Sequence, residues 1–140
     1  MRYLFDTNVV SDIRRRDEHT TEIFRRNIAA LPVEDVAISV VTIAEIMQGI
    51  ARLATLGDHR QARHLESWLH DGVIEVYRGR ILDFTTAIAL AAGRLRTPAW
   101  ALTCDAQIAA TATVHGLRLV SRNTKDFIAM GVTVSDPYAA

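Results

Sequence analysis

Short apolar, β-branched stretches recur along this chain, and between them lie segments whose apolar residues fall three and four apart. Residues 2–5, 36–40, 73–77, 117–120 and 132–134 read as strands. Helical patterning runs from Asn8 to about Arg16, with Val9, Val10 and Ile13 on one face, and from about Thr20 to Ala30, before Pro32. It continues over 42–54, where Ile43, Ile46, Met47, Ile50 and Leu53 form one stripe, and over 59–70, between Gly57-Asp58 and Asp71-Gly72. Two Ala-rich helices follow at 86–95 and 103–115, the second stopped by Gly116. Strands alternating with helices predict an α/β fold with a mainly parallel sheet. Right-handed crossovers then bring every strand's C-terminal end to one edge, where such sheets bind ligands.

A chain of 140 residues with 49% apolar and 23% charged residues is expected to form one domain, 1–140, that buries its core without staples. The single Cys104 excludes an intrachain disulfide and a multi-cysteine zinc site, so a reduced, cytoplasmic setting is expected. No apolar run approaches the ~20 residues of a membrane span, and Asp6 interrupts what would be the apolar part of an export signal. Net charge is zero, which argues against a strongly basic nucleic-acid-coating protein. Of the 16 basic residues only Lys125 is a lysine; the arginines suit bidentate phosphate contacts, and GC-rich codons explain them equally well.

The acids that fall at or near the predicted ligand edge carry the chemistry. Asp6 directly follows the first strand, Glu45 lies early in the helix after the second, Asp105 opens a later helix, and Asn123 and Asp126 follow the strand 117–120. Each has a structural reading. Asp6 suits a helix cap, Thr42-x-x-Glu45 a capping box, Asp105 a favourable helix start and Asp126 a turn cap. Together, carboxylates facing one pocket repel one another unless a cation offsets them, and Mg²⁺ or Mn²⁺ is the fitting occupant. Carboxylate-held ions of this kind serve phosphate chemistry. The five histidines lack the i, i+4 spacing of a helical zinc site, and no Gly-rich phosphate loop occurs. Cys104 reads as helix packing, and Ser39 and Ser121 lack a nucleophile-elbow context. Arg14-Arg15-Arg16 and Arg25-Arg26 read mainly as solvated faces. Asn8, Arg122 and Lys125 flank the acids and are candidates for holding a substrate.

The stretches YLFDTNVVSD, ISVVTIAEIMQGI, TCDAQIAATATVHGLRLVSRNTKDF and GVTV, in that order, resemble PIN-domain ribonucleases. They are most similar to the VapC-type toxins of bacterial toxin–antitoxin operons, including the FitB-like branch. The resemblance implies a PIN-like α/β/α sandwich around a mainly parallel, roughly five-stranded sheet. It implies Mg²⁺- or Mn²⁺-dependent endoribonuclease activity on single-stranded or looped RNA. The family's metal-site acids map onto Asp6, Glu45 and Asp105, and Asp126 joins them as a catalytic candidate. Many members place a fourth acid where this chain has Asn123, so Asn123 is expected at a metal-bound water or the fourth position. The implied partners are a small cognate antitoxin that obstructs the acidic pocket and a second copy of the chain in a homodimer. The segment LRTPAWAL at 95–102 departs from the family's usual lead-in, and Trp100 is expected in the core or a dimer interface.

Two other classes compete. A catalytically weak PIN-like module that holds RNA or antitoxin is motivated by Asn123. A phosphotransfer domain also uses strand-end aspartates, but Asn8 stands where an Asp-x-Asp phosphatase needs its second acid.

Overall fold

The structure is a computed structural model that describes residues 1–15 and 20–140. The predicted end of the first helix at Arg16, and His19, lie outside the described residues. The strands are β1 (Tyr3–Phe5), β2 (Val36–Ser39), β3 (Ile81–Leu82), β4 (Arg118–Val120) and β5 (Val134–Ser135). The helices are α1 (Thr7–Arg14), α2 (Glu22–Ala29), α3 (Val40–Thr55), α4 (His59–Trp68), α5 (Thr86–Arg94), α6 (Cys104–His115) and α7 (Thr124–Ala129). All strand pairs are parallel, in the order β3-β2-β1-β4-β5. The chain steps from β1 outward to β2 and β3, then returns to the other side of β1 for β4 and β5. The crevice beyond the C-terminal ends of β1 and β4 is therefore the switch point of the sheet, where open α/β folds bind ligands.

The strands read as nearly continuous apolar runs because both faces of the sheet are covered. Alternation divides them. Phe5, Val36, Ile38 and Val120 face a core with Val9, Val10, Phe24, Ile46 and Ile50, from α1, α2 and α3. Leu4, Ala37 and Leu119 face the opposite core with Ile108, Ala109, Ala112 and Phe127, from α6 and α7. Alanines let α6 lie close to the sheet and to α5, where Ile88 and Ala92 meet Ala110. Tyr138 then stacks on Phe24, with ring centroids 4.5 Å apart, and closes the open end of the first core.

The structure corrects three local expectations. Residues 73–77 are not a strand. The chain continues from α4 into a π-helical segment, Leu69–Ile74, and a turn, and β3 forms only at Ile81–Leu82. Val73 and Tyr77 are buried four apart, which is helical spacing, whereas Val76 between them is exposed. Gly72 does not stop the helix; a Cβ there would lie 2.7 Å from Trp68 Cδ1, so glycine lets the indole pack against the backbone. Finally, Thr42 does not start α3. Ser39 is its cap, its hydroxyl accepting from the Val41 amide, so the predicted capping box with Glu45 does not form. The left-handed turn at Gly116 (φ 65°) does end α6 as read from the sequence.

Phe127 is completely buried and joins the short α7 to the sheet core. Phe127→Ala is expected to cost about 3–5 kcal/mol, read as a lower midpoint in urea unfolding; a loss below about 1 kcal/mol would show that α7 is not fastened through this ring.

Candidate metal centre

The β1–β4 pairing builds the site. Phe5 lies in register with Val120, so the next residues, Asp6 and Ser121, emerge side by side at the switch point. Asp6 caps α1 and is buried, only 3% exposed. Its Oδ1 accepts the Thr7 amide at 2.8 Å, and its Oδ2 accepts the Asn8 amide group at 2.9 Å and the Ser121 hydroxyl at 2.7 Å. All three donors are neutral. Ser121 in turn accepts the Asn123 backbone N–H at 2.9 Å, which shapes the loop after β4.

The other acids come from separate elements. Glu45, in the second turn of α3, is half-buried, and its Oε1 accepts the Thr7 hydroxyl at 2.6 Å. That hydroxyl also lies 3.0 Å from the hydroxyl of buried Thr42. Asp105, in the first turn of α6, is half-buried and accepts the Asn123 side-chain amide at 3.3 Å. Asp126, in the first turn of α7, is exposed.

Electrostatics shows how closely these acids feel one another. Burial drives the Asp6 carboxyl up to about 6; its bonds from Ser121 and Thr7 oppose the rise, and the charges of Asp105 and Glu45 add to it. Glu45 is raised by burial and by Asp105, against the bond from Thr7. Asp105 is raised by burial and by Asp126, against the bond from Asn123. The four carboxyls thus form one chain of mutual repulsion. Among the described residues none of them is ion-paired with Arg, Lys or His. Arg122 is turned away, its guanidinium 3.0 Å from Asp12 Oδ2, which also accepts the Tyr138 hydroxyl at 2.8 Å. Lys125 is exposed.

This donor set is all oxygen, anionic and without a protein counter-charge, and so suits a small hard cation. Among the described residues, as they stand without an ion, no group of three or more His, Cys, Asp or Glu side chains is arranged to hold a metal ion together.

The structure also places Asn8, Cys104 and Trp100. Asn8, a substrate candidate from sequence, directs its amide group to Asp6, and its Oδ1 accepts the Arg122 amide at 3.4 Å. Cys104 is exposed rather than packed, and Trp100 is 68% exposed, so of its two expected places the core is excluded. Ser121 and Thr7 were not singled out for this role. The available signal was position: Ser121 follows its strand as directly as Asp6 follows the first.

The profile of the PIN domain family matches residues 3–132. The chain belongs to the PIN-domain family. Its PIN fold is 31% identical to Toxin FitB of Neisseria gonorrhoeae (strain ATCC 700825 / FA 1090), over 96% of this chain and 97% of that one. It is 27% identical to VapC ribonuclease Y4jK of Sinorhizobium fredii (strain NBRC 101917 / NGR234), over 96% of each. Among solved structures it superposes on FitAcB from Neisseria gonorrhoeae with a TM-score of 0.83, at 28% identity over 99% of both chains. On a toxin–antitoxin complex from Klebsiella pneumoniae the TM-score is 0.62, at 27% identity over 99% of both chains.

The acids make the metal-free PIN domain pH-sensitive. Asp6 is raised from an ordinary 3.8 to about 6, so the folded state holds this proton more tightly than the unfolded chain. Stability then falls as pH rises from about 4 to about 6, by about 3 kcal/mol from this group, and stays lower above that window. Glu45 and Asp105 act with the same sign. In chelator, the melting temperature is expected to be higher at pH 5 than at pH 7.5, and Asp6→Asn should remove most of the difference; a flat profile contradicts this electrostatic account. Ser121→Ala deletes a bond to the ionised form, so the Asp6 titration followed by carboxyl NMR should move further upward.

Proposed function

We propose that this PIN domain is a divalent-metal-dependent endoribonuclease acting as the toxin of a toxin–antitoxin pair. The observation that carries the proposal is the convergence of carboxylates from four distant segments at the switch point of the sheet with no cationic side chain among the described residues paired to them. The relatives named as a toxin and a ribonuclease support it.

Asp6, Glu45 and Asp105 are the residues assigned to hold Mg²⁺ or Mn²⁺, with Asn123 and Asp126 at the outer margin. Bound there, the ion supplies Lewis-acid polarisation of a phosphodiester and lowers the pKa of a water. The protein's share is orientation and proton handling. Thr7 N–H, Asn8 and Ser121 hold both oxygens of Asp6, and the bonds from Thr7 and Ser121 oppose its protonation. Asn123 orients Asp105. Thr7 engages Glu45 Oε1, and Oε2 is the atom assigned to receive a proton from an attacking water. Burial and the charge of Asp105 raise its pKa, which strengthens it as a base. In-line attack leaves a 5′-phosphate and a 3′-hydroxyl. The substrate class is single-stranded or looped RNA, whose bases are free to splay away from a helix. The expected partners are an antitoxin that covers the crevice and a second copy of the chain. No helix among the described residues is long and apolar enough to cross a membrane, and the assigned setting is cytoplasmic.

Asn123 favours a second reading, an RNA- or antitoxin-holding module with weak cleavage, because it adds no charge beside Asp105. One experiment separates the two. Antitoxin-free protein is incubated with looped RNA and Mn²⁺, and the 5′ ends are mapped. Metal-dependent cuts bearing 5′-phosphate support the nuclease; binding without cuts supports the module. Asp6→Asn and Asp105→Asn are each expected to lower cleavage by about a thousand-fold with the circular dichroism spectrum unchanged. Full metal-dependent cleavage by Asp6→Asn would overturn the assignment.

A further inference from the structure

A cavity of about 480 Å³ opens directly beside the acids, between α1, α3 and α4. It begins at Thr7 and Glu45, the pair joined by the 2.6 Å hydrogen bond. Ile46, Ile50, Leu53 and Leu65 give it an apolar floor, and Trp68 lines one wall. Arg14, Arg15 and Arg52 also line it, and among the described residues none of the three carries an ion pair. The Arg14 guanidinium lies 5.5 Å from the centre of the Trp68 ring. An apolar slot bordered by unpaired guanidiniums and an indole matches a flat base on an anionic backbone.

Gly49 adds an independent observation. It lies within α3 and lines this cavity, yet a Cβ built on it meets nothing within 4 Å, and its backbone is helical. Glycine inside a helix costs about 1 kcal/mol relative to alanine. Neither packing nor backbone geometry asks for glycine here; open space in the slot is what it provides.

Resting on the ribonuclease reading above, we propose that this cavity seats an unpaired nucleobase next to the scissile phosphate, packed against Trp68 and Arg14, with Arg15 and Arg52 meeting the flanking phosphates. The slot then contributes base preference, while the acids contribute the cut. RNA is favoured over an acidic, apolar peptide because one end of the cavity is lined by Glu45, one of the acids assigned to the ion, which repels a polyanion unless a divalent ion bridges the two, as it would for a phosphodiester.

The test uses the full chain freed of antitoxin and a short oligoribonucleotide pool randomised beside the cleaved bond. Gly49→Leu fills the slot at a position where the fold has room. It is expected to keep or raise the melting temperature, raise KM about tenfold or more, and flatten the base preference. Arg52→Glu should raise KM without flattening it. Wild-type efficiency and preference in Gly49→Leu overturn the proposal, as does a variant that loses only antitoxin capture, which would make the slot a protein-docking seat. A binding arm separates this idea from the ribonuclease reading. The chain has two tryptophans, so Trp100→Phe leaves Trp68 as the sole indole, and Asp105→Asn in the same chain prevents cutting. Quenching of Trp68 fluorescence by the intact oligomer but not by its abasic analogue supports the base seat even if no RNA is ever cleaved. Equal quenching by both, or none, sinks the base seat even where the parent chain cuts RNA.

Discussion

A carboxylate buried without a counter-ion is expensive, and Asp6 is one. Its surroundings soften that cost with neutral donors only: a backbone amide, an amide side chain and a hydroxyl. A lysine or arginine in the same place would stabilise the fold more simply, and it would also put a fixed positive charge in the crevice. The architecture of the crevice follows from that choice. Asn8 and Ser121 are held against Asp6, Thr7 is held between Asp6 and Glu45, and Asn123 is held between Ser121 and Asp105. Arg122, the nearest cation in the chain after β4, is kept on Asp12 instead.

The alternation of strands and helices was legible because each strand is buried on both faces and each helix on one. Asp6 and Asp105 were legible because each begins a helix at the strand-end edge, and Glu45 because its helix follows a strand directly. The misread segment, 73–77, shows the limit of such patterns. Val, Ile, Val and Tyr suit a strand by type, but burial there follows a four-residue spacing set by packing against α3 and α4, which no local window reports. Gly72 misled for a related reason: its role is to admit the Trp68 ring, a contact made by a neighbour one helical turn away.

The supporting residues were harder to see. Ser121 carries no motif, and its importance depends on the register Phe5↔Val120, a pairing between residues 115 positions apart in the chain. Thr42 looked like a cap by spacing, whereas Ser39 takes that role and frees Thr42 to pack its hydroxyl against Thr7. Trp100 was assigned by its size to the core or a dimer interface, and the core is not where it lies. It instead stands on a turn where both Ala99 and Trp100 have positive φ, with the Arg96 guanidinium 5.5 Å from its ring. Side-chain type alone did not report that backbone.

The central position of β1 has a consequence for how the protein comes into being. Of the five strands, the first to be made is the middle strand of the sheet, and its neighbour on one side, β4, follows it by more than a hundred residues. Until that late strand docks, Asp6 has no Ser121 beside it and Asp105 has no Asn123. A nascent chain therefore carries its acids long before it can arrange them. Vectorial synthesis holds the crevice unassembled until β4 has been made and has docked beside β1.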